Sequence, residues 1–169
     1  MWSPPKLLLL ASCLGLAITA VRAQVKPGDA FPALAPSSFE GALPAMAGRI
    51  VLVDFWASWC APCKASFSAY ARLQETYASR GVVILAVSVD ENPGDFAAFV
   101  RRLRPPFATV RDRGQLLVRS VDVPVMPTSY LLGRDGKVRY VHAGFRGDRT
   151  ERDLRREIDV LLGEPAPPS

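Results

Sequence analysis

Residues 51–64 run Val51-Leu-Val-Asp-Phe-Trp-Ala-Ser-Trp-Cys60-Ala-Pro-Cys63-Lys64. The apolar start, rich in β-branched and aromatic residues, has the composition of a buried strand. The pattern breaks at Trp59-Cys60-Ala61-Pro62-Cys63, after which Phe67, Tyr70, Leu73 and Tyr77 recur every three or four residues, as on one helix face. This order puts Cys60 at a helix N-terminus, where free backbone N–H groups and the dipole favour a thiolate. Free cysteine has a pKa of about 8.5, so the placement raises the reactive fraction at neutral pH. Cys63 falls in the first turn, close enough to attack a mixed disulfide formed at Cys60. Pro62 suits that turn, because first-turn N–H groups lack helical partners.

Two other uses of the pair compete with redox chemistry. A structural bridge across C-x-x-C closes a loop too small to constrain much of the unfolded chain. Zinc usually takes four ligands, and beyond the pair the chain offers only Cys13 and His142 as sulfur or imidazole donors. Dithiol–disulfide exchange is the chemistry these residues favour, with no metal set and no cofactor assigned.

The run from Val53 to Lys64 resembles the active-site segment of the thioredoxin superfamily, and its flanks are most similar to the exported TlpA/ResA-like thiol–disulfide oxidoreductases. The resemblance extends over roughly residues 26–162. It implies an α/β thioredoxin fold: a central mixed β-sheet flanked by helices, with an N-terminal edge hairpin and a central strand–helix insertion.

The 169 residues, 49% hydrophobic, suit one domain with a full core. The net charge of +5, to which Lys6 and Arg22 contribute, is scattered rather than striped, which argues against a nucleic-acid partner. Residues 1–23 read as a signal peptide: a short basic start, an apolar run from Leu7 to Val21, and a small residue at Ala23. An uncleaved anchor, or lipidation at Cys13 within Leu10-Ala11-Ser12-Cys13, are the alternatives, and each exports the domain. Residues 24–163 are the expected domain and 164–169 a disordered tail. Pro32, Pro36 and Pro44 keep the entry segment off any central strand and allow one or two short edge strands.

Strand alternation sets Leu52, Asp54 and Trp56 on one face and Val51, Val53 and Phe55 on the other. With both faces covered, Asp54 is expected to be buried with a raised pKa, placed to carry the proton that Cys63 must lose. A structural acid bonded to backbone is the alternative. Two departures from the family pattern bear on it. Ser66 stands where ResA-like reductases often have Glu, and Asp54 itself where their strand often has Asn, so the acid comes from the strand as in cytoplasmic thioredoxin. Ala86 aligns with that protein's lysine, which leaves Asp54 without a charged partner.

Downstream, Val82–Asp90 is the clearest buried strand, Asn92-Pro93 opens a helix that Pro105-Pro106 ends, and a short strand and helix follow. In Val123-Pro124-Val125-Met126-Pro127-Thr128, a proline at the mouth of a strand needs a specific task. The superfamily resemblance implies that Met126-Pro127 is cis, faces the cysteines and leaves its backbone to pair with an extended substrate. Arg134-Asp135-Gly136-Lys137 reads as a primed hairpin turn, His142 as an edge-strand residue, and Thr150 with Asp153 as the capping box of a last helix.

The resemblance therefore implies an exported, monomeric reductase of protein disulfides. Cys60 attacks, Cys63 resolves and Asp54 moves protons, while Trp59, Pro62, Met126 and Pro127 contact substrate and Trp56 helps to shape a dry surface. The family's reductases serve apocytochrome c or metal-site cysteines and are recharged by a membrane electron donor. A thiol oxidant of folding proteins, a thiol peroxidase and a copper-handling module stay open as alternatives. The peroxidase family places threonine three residues before its reactive cysteine, where this chain has Ala57.

Overall fold

The computed structural model describes residues 24–165. The readings made for residues 1–23, including Cys13, lie outside the described residues, as does most of the expected tail. In chain order the elements are β1 (Phe39–Glu40), β2 (Ile50–Trp56), α1 (Ala61–Tyr77), β3 (Val82–Ser88), α2 (Pro93–Leu103), β4 (Ala108–Asp112), α3 (Leu116–Val121), β5 (Thr128–Leu132), β6 (Val138–Ala143) and α4 (Asp148–Gly163). The strands form one mixed sheet in the order β1-β4-β3-β2-β5-β6, which with its flanking helices is a thioredoxin fold.

The alternation of β2 dictates how the layers pack. Trp56 turns to one face and meets Phe67 of α1 (ring centroids 4.9 Å) and Phe99 of α2 (4.4 Å). Phe55 turns to the other and meets Tyr130 edge-on at 5.9 Å, with Phe31 of the entry segment beyond it at 5.6 Å. Both faces are thus covered, as the unbroken burial of β2 and β3 requires. Trp56 is fully buried in this aromatic cluster, so its place is the core and not the surface beside the sulfurs. β3 pairs parallel with β2, and β4 extends the sheet parallel to β3, which is the expected insertion.

α1 hands over to a short 3-10 turn, and Gly81 (φ 85°) stops it in a conformation that side chains resist. Asn92 caps α2, its side chain accepting from the Gly94 N–H at 2.8 Å.

Three local expectations are corrected. The entry segment forms no hairpin among the described residues. It makes two separate edge contacts, β1 against β4 and Ala30 against Lys137, because its prolines prevent a continuous ladder. The turn before β6 carries a positive φ at Gly136 alone (74°), and Gly133 pairs with Lys137 around three residues. It is a type I turn with a glycine bulge, not a primed turn. In α4 the N-cap is Gly147. Thr150 lies inside the first turn and accepts from the Arg146 N–H at 2.9 Å, while Asp153 pairs with Arg156. Among the described residues no helix is long and apolar enough to cross a membrane.

Candidate active site

The C-terminal end of β2 delivers the chain into a tight loop and then into α1. Cys60 is the N-cap of that helix, with extended backbone (φ −83°, ψ 108°), and its Sγ accepts from the Cys63 N–H at 3.2 Å. A side-chain acceptor at that position satisfies one orphan donor of the first turn, and negative charge on the sulfur strengthens the bond. Cys60 and Cys63 are joined as a disulfide with Cα atoms 5.3 Å apart. Cys60 keeps 5% of its surface and Cys63 none, so an incoming thiol or disulfide reaches the pair through Cys60.

The loop itself is clamped from β3. Asp90 is 3% exposed, and its carboxyl oxygens accept from the Ser58 N–H (3.1 Å to each) and from the hydroxyls of Ser58 (2.9 Å) and Ser88 (2.8 Å). Arg111, paired with Glu40, adds long hydrogen bonds to the Asp90 and Glu91 carbonyls. Asp90→Ala would leave the Ser58 N–H and two hydroxyls without this acceptor. It should lower the stability of the oxidised protein by about 2 kcal/mol and speed amide exchange at Ser58. An unchanged melting temperature with unchanged exchange would remove Asp90 from this role.

The strand that leads to the pair carries a buried acid. Asp54 is wholly inaccessible and accepts from the Tyr70 hydroxyl at 2.8 Å through Oδ1, while Oδ2 has no partner among the described residues. Burial pushes its pKa well above the ordinary carboxylate range, and the Tyr70 hydrogen bond offsets part of that shift. Burial and the nearby Asp54 carboxyl also raise Tyr70, which keeps its hydroxyl a donor. Ala86 of β3 and Ser129 of β5 lie in register with Asp54 on either side, and Ser66 gives its hydroxyl to the Cys63 carbonyl at 2.8 Å.

The sheet brings the second motif to the same end. Thr128 pairs with Phe55, so the residues just before β5 lie level with the chain leaving β2 for Cys60. The Met126-Pro127 bond is cis, Pro127 is buried, and its carbonyl accepts from the Gly144 N–H at 2.7 Å. Trp59 is 70% exposed and Val125 48%, with Pro62 exposed and Met126 half-buried, giving this end an apolar surface. His142 is directed elsewhere, bonded to Glu157 of α4 at 2.7 Å. Among the described residues no group of three or more His, Cys, Asp or Glu could hold a metal ion.

With this geometry established, comparison with known proteins places the chain. The model of the AhpC/TSA family matches residues 30–141. Thiol-disulfide oxidoreductase ResA of Geobacillus thermodenitrificans is 31% identical over 162 residues, spanning 92% of this chain and 91% of that protein. The chain belongs to the AhpC/TSA family, among its ResA-type thiol–disulfide oxidoreductases. Among solved structures, a thiol:disulfide interchange protein DsbE from Chlorobium tepidum is similar with a TM-score of 0.72 and 32% identity, over 83% of this chain and 100% of that one. StoA from Bacillus subtilis, at 23% identity and a TM-score of 0.56 over 63% of this chain and 82% of its own, shares the fold.

Within the AhpC/TSA family the site departs from a peroxidase. Ala57, three residues before Cys60, is buried and presents a methyl group where that chemistry calls for a threonine hydroxyl. Two residues escape a sequence-level reading. Tyr70 sits on the inward face of α1 among Phe67 and Leu73, where its spacing marks it as core and its hydroxyl goes unnoticed. Asp90 follows a buried strand and looks like a turn residue. Only tertiary pairing with Ser58, 32 residues earlier, reveals it.

Proposed function

We propose that this chain is an exported reductase of protein disulfides. The observation that carries the proposal is a C-x-x-C pair at the N-terminus of α1, in which Cys60 keeps a small accessible area and Cys63 none, with a wholly buried acid, Asp54, on the strand that leads into it. In the reduced protein, the Cys60 thiolate attacks one sulfur of a substrate disulfide, and the other substrate sulfur leaves as a thiolate that takes up a proton. Cys63 then gives its proton to Asp54 and attacks Cys60, closing the Cys60–Cys63 bond as the Cys60–substrate bond breaks, and the second substrate sulfur leaves as a thiolate that takes up a proton from water. Two electrons pass from the enzyme pair to the substrate.

Trp59, Pro62, Met126 and Pro127 are assigned to substrate contact, the backbone before Pro127 pairing with an extended segment. Recharging requires a dithiol donor, for which a membrane electron carrier fits an exported protein, and residues 1–23 serve as the export signal. Apocytochrome c or metal-site cysteines are the substrate classes that fit this role.

The test is the equilibrium reduction potential of the Cys60–Cys63 couple in a glutathione buffer. The expected value lies near that of thioredoxin, about −270 mV. A value near that of a folding oxidant, about −120 mV, would reverse the direction of electron flow and make the chain a donor of disulfides.

A further inference from the structure

Asp54 has to hold a negative charge, at least transiently, to take a proton from Cys63, yet it is sealed from water. Its surroundings show what helps it. From β3 the facing residue is Ala86, a methyl group; from β5 it is Ser129, a neutral hydroxyl. From α1 comes Tyr70, and one turn earlier on that helix Ser66, whose hydroxyl donates to the Cys63 carbonyl and also lies against the Tyr70 hydroxyl. One strand further, His142 of β6 is level with Ser129, and its ring is bonded to Glu157 of α4. Glu151 of α4 is held by Arg72 and Arg155. None of these brings a cation against Asp54. The contact that acts on its carboxyl is the Tyr70 hydroxyl, 2.8 Å from Oδ1 and itself wholly enclosed.

Tyr70 is four residues beyond Ser66, so both project from one face of α1 toward β2. A hydroxyl there spans the gap that a shorter or apolar side chain would leave. We infer that Tyr70 is a positioning residue for the exchange reaction: its hydrogen bond lets Asp54 exist as the carboxylate that receives the Cys63 proton. The inference rests on the proposed role of Asp54 and adds the group that makes that role workable without a charged neighbour. In the step concerned, the Cys63 S–H bond breaks and its proton passes to the Asp54 carboxylate. The sulfur's electron pair forms the bond to Cys60 as the Cys60–substrate S–S bond breaks, and the substrate sulfur leaves as a thiolate that takes up a proton from water. Tyr70 keeps its own proton throughout, since burial and the adjacent acid both raise its pKa.

The experiment compares the wild type, Tyr70→Phe, Asp54→Asn and the double variant. Two readouts are taken on each: the pH dependence of release from a Cys60 mixed disulfide with a model peptide, and the carbon-13 NMR titration of the Asp54 carboxyl where it is present. Phenylalanine keeps the ring that packs near Phe107 and Phe145 and removes the hydroxyl, with its donation to Asp54 and its contacts to Ser66 and Ser129. Without it the carboxylate is less stable, so Asp54 titrates at higher pH and the rising limb of the release profile moves upward by about one to two pH units. Below the limb, release is then tenfold or more slower, and in the Asp54→Asn background Tyr70→Phe adds nothing.

An Asp54 titration that stays in place in Tyr70→Phe overturns the inference. A profile that Asp54→Asn leaves unchanged overturns the role given to Asp54, and the NMR titration still reports on Tyr70 by itself. Should Tyr70→Phe fail to fold, 3-fluorotyrosine at position 70, with a more acidic hydroxyl, moves the titration to lower pH if Tyr70 acts as inferred and leaves it unmoved otherwise.

Discussion

Cys63→Ser is expected to turn the protein into a trap that captures its substrates and holds them, whereas Cys60→Ser is expected to capture nothing. The asymmetry follows from burial and helix position. Cys60, at the N-cap, has the backbone donors of the first turn in reach and some surface of its own, while Cys63 is enclosed and can react only with a sulfur already bound at Cys60. Removing the resolving thiol leaves attack intact and blocks the second exchange, so a mixed disulfide accumulates. Removing the attacking thiol should reduce turnover by on the order of 10³-fold or more, as losing an enzyme's nucleophile does. Non-reducing electrophoresis with mass spectrometry of a bait peptide checks both: adducts on Cys63→Ser and none on Cys60→Ser. Adducts forming preferentially at Cys63 of the Cys60→Ser protein would exchange the roles of the two sulfurs.

The capture experiment tests a part of the molecule that was legible in the sequence, and the reason is local. A strand, a C-x-x-C and a helix are consecutive, so period and spacing alone place Cys60 at the N-cap and Asp54 on the covered face of β2. Met126-Pro127 was legible through the superfamily resemblance, which implies a cis proline facing the cysteines where a proline stands directly before a strand, and the sheet brings it to the same end as Cys60 through the pairing of Thr128 with Phe55. Tyr70 and Asp90 were not legible, since each acts on a residue distant in sequence and neither breaks its local pattern: Tyr70 fits an apolar face, and Asp90 fits a turn. Trp56 was misplaced for a related reason. A tryptophan near two cysteines suggests a surface, and only the packing of α2 onto α1 shows the ring covered by Phe67 and Phe99. The helix start at Gly147 was hidden because Thr150 and Asp153 mimic a capping box one turn too late.

Asp54→Asn is expected to make the oxidised protein more stable and a poorer enzyme. Burial raises the pKa of Asp54 in the fold above that of an unfolded carboxyl, about 3.9. Below pH ~4 both states hold the proton, and the acid imposes no charge penalty. As the pH climbs past that point the unfolded chain ionises first, which favours unfolding, and the loss grows until the folded acid ionises as well. The advantage of Asp54→Asn should therefore be small near pH 4 and open steadily on the way to neutral pH, reaching on the order of 2 kcal/mol, or roughly 5–10 °C in melting temperature. Tyr70 does not disturb this window, because its own titration is displaced upward and it stays neutral across it. Denaturant unfolding of wild type and variant at a series of pH values checks the prediction. A difference that is flat with pH, or a wild type that is the more stable at pH 7, would mean that Asp54 is not held as a buried acid. The stability lost at neutral pH has a functional counterpart: an acid destabilised as a carboxylate takes a proton readily, which is what the proposed transfer from Cys63 asks of Asp54.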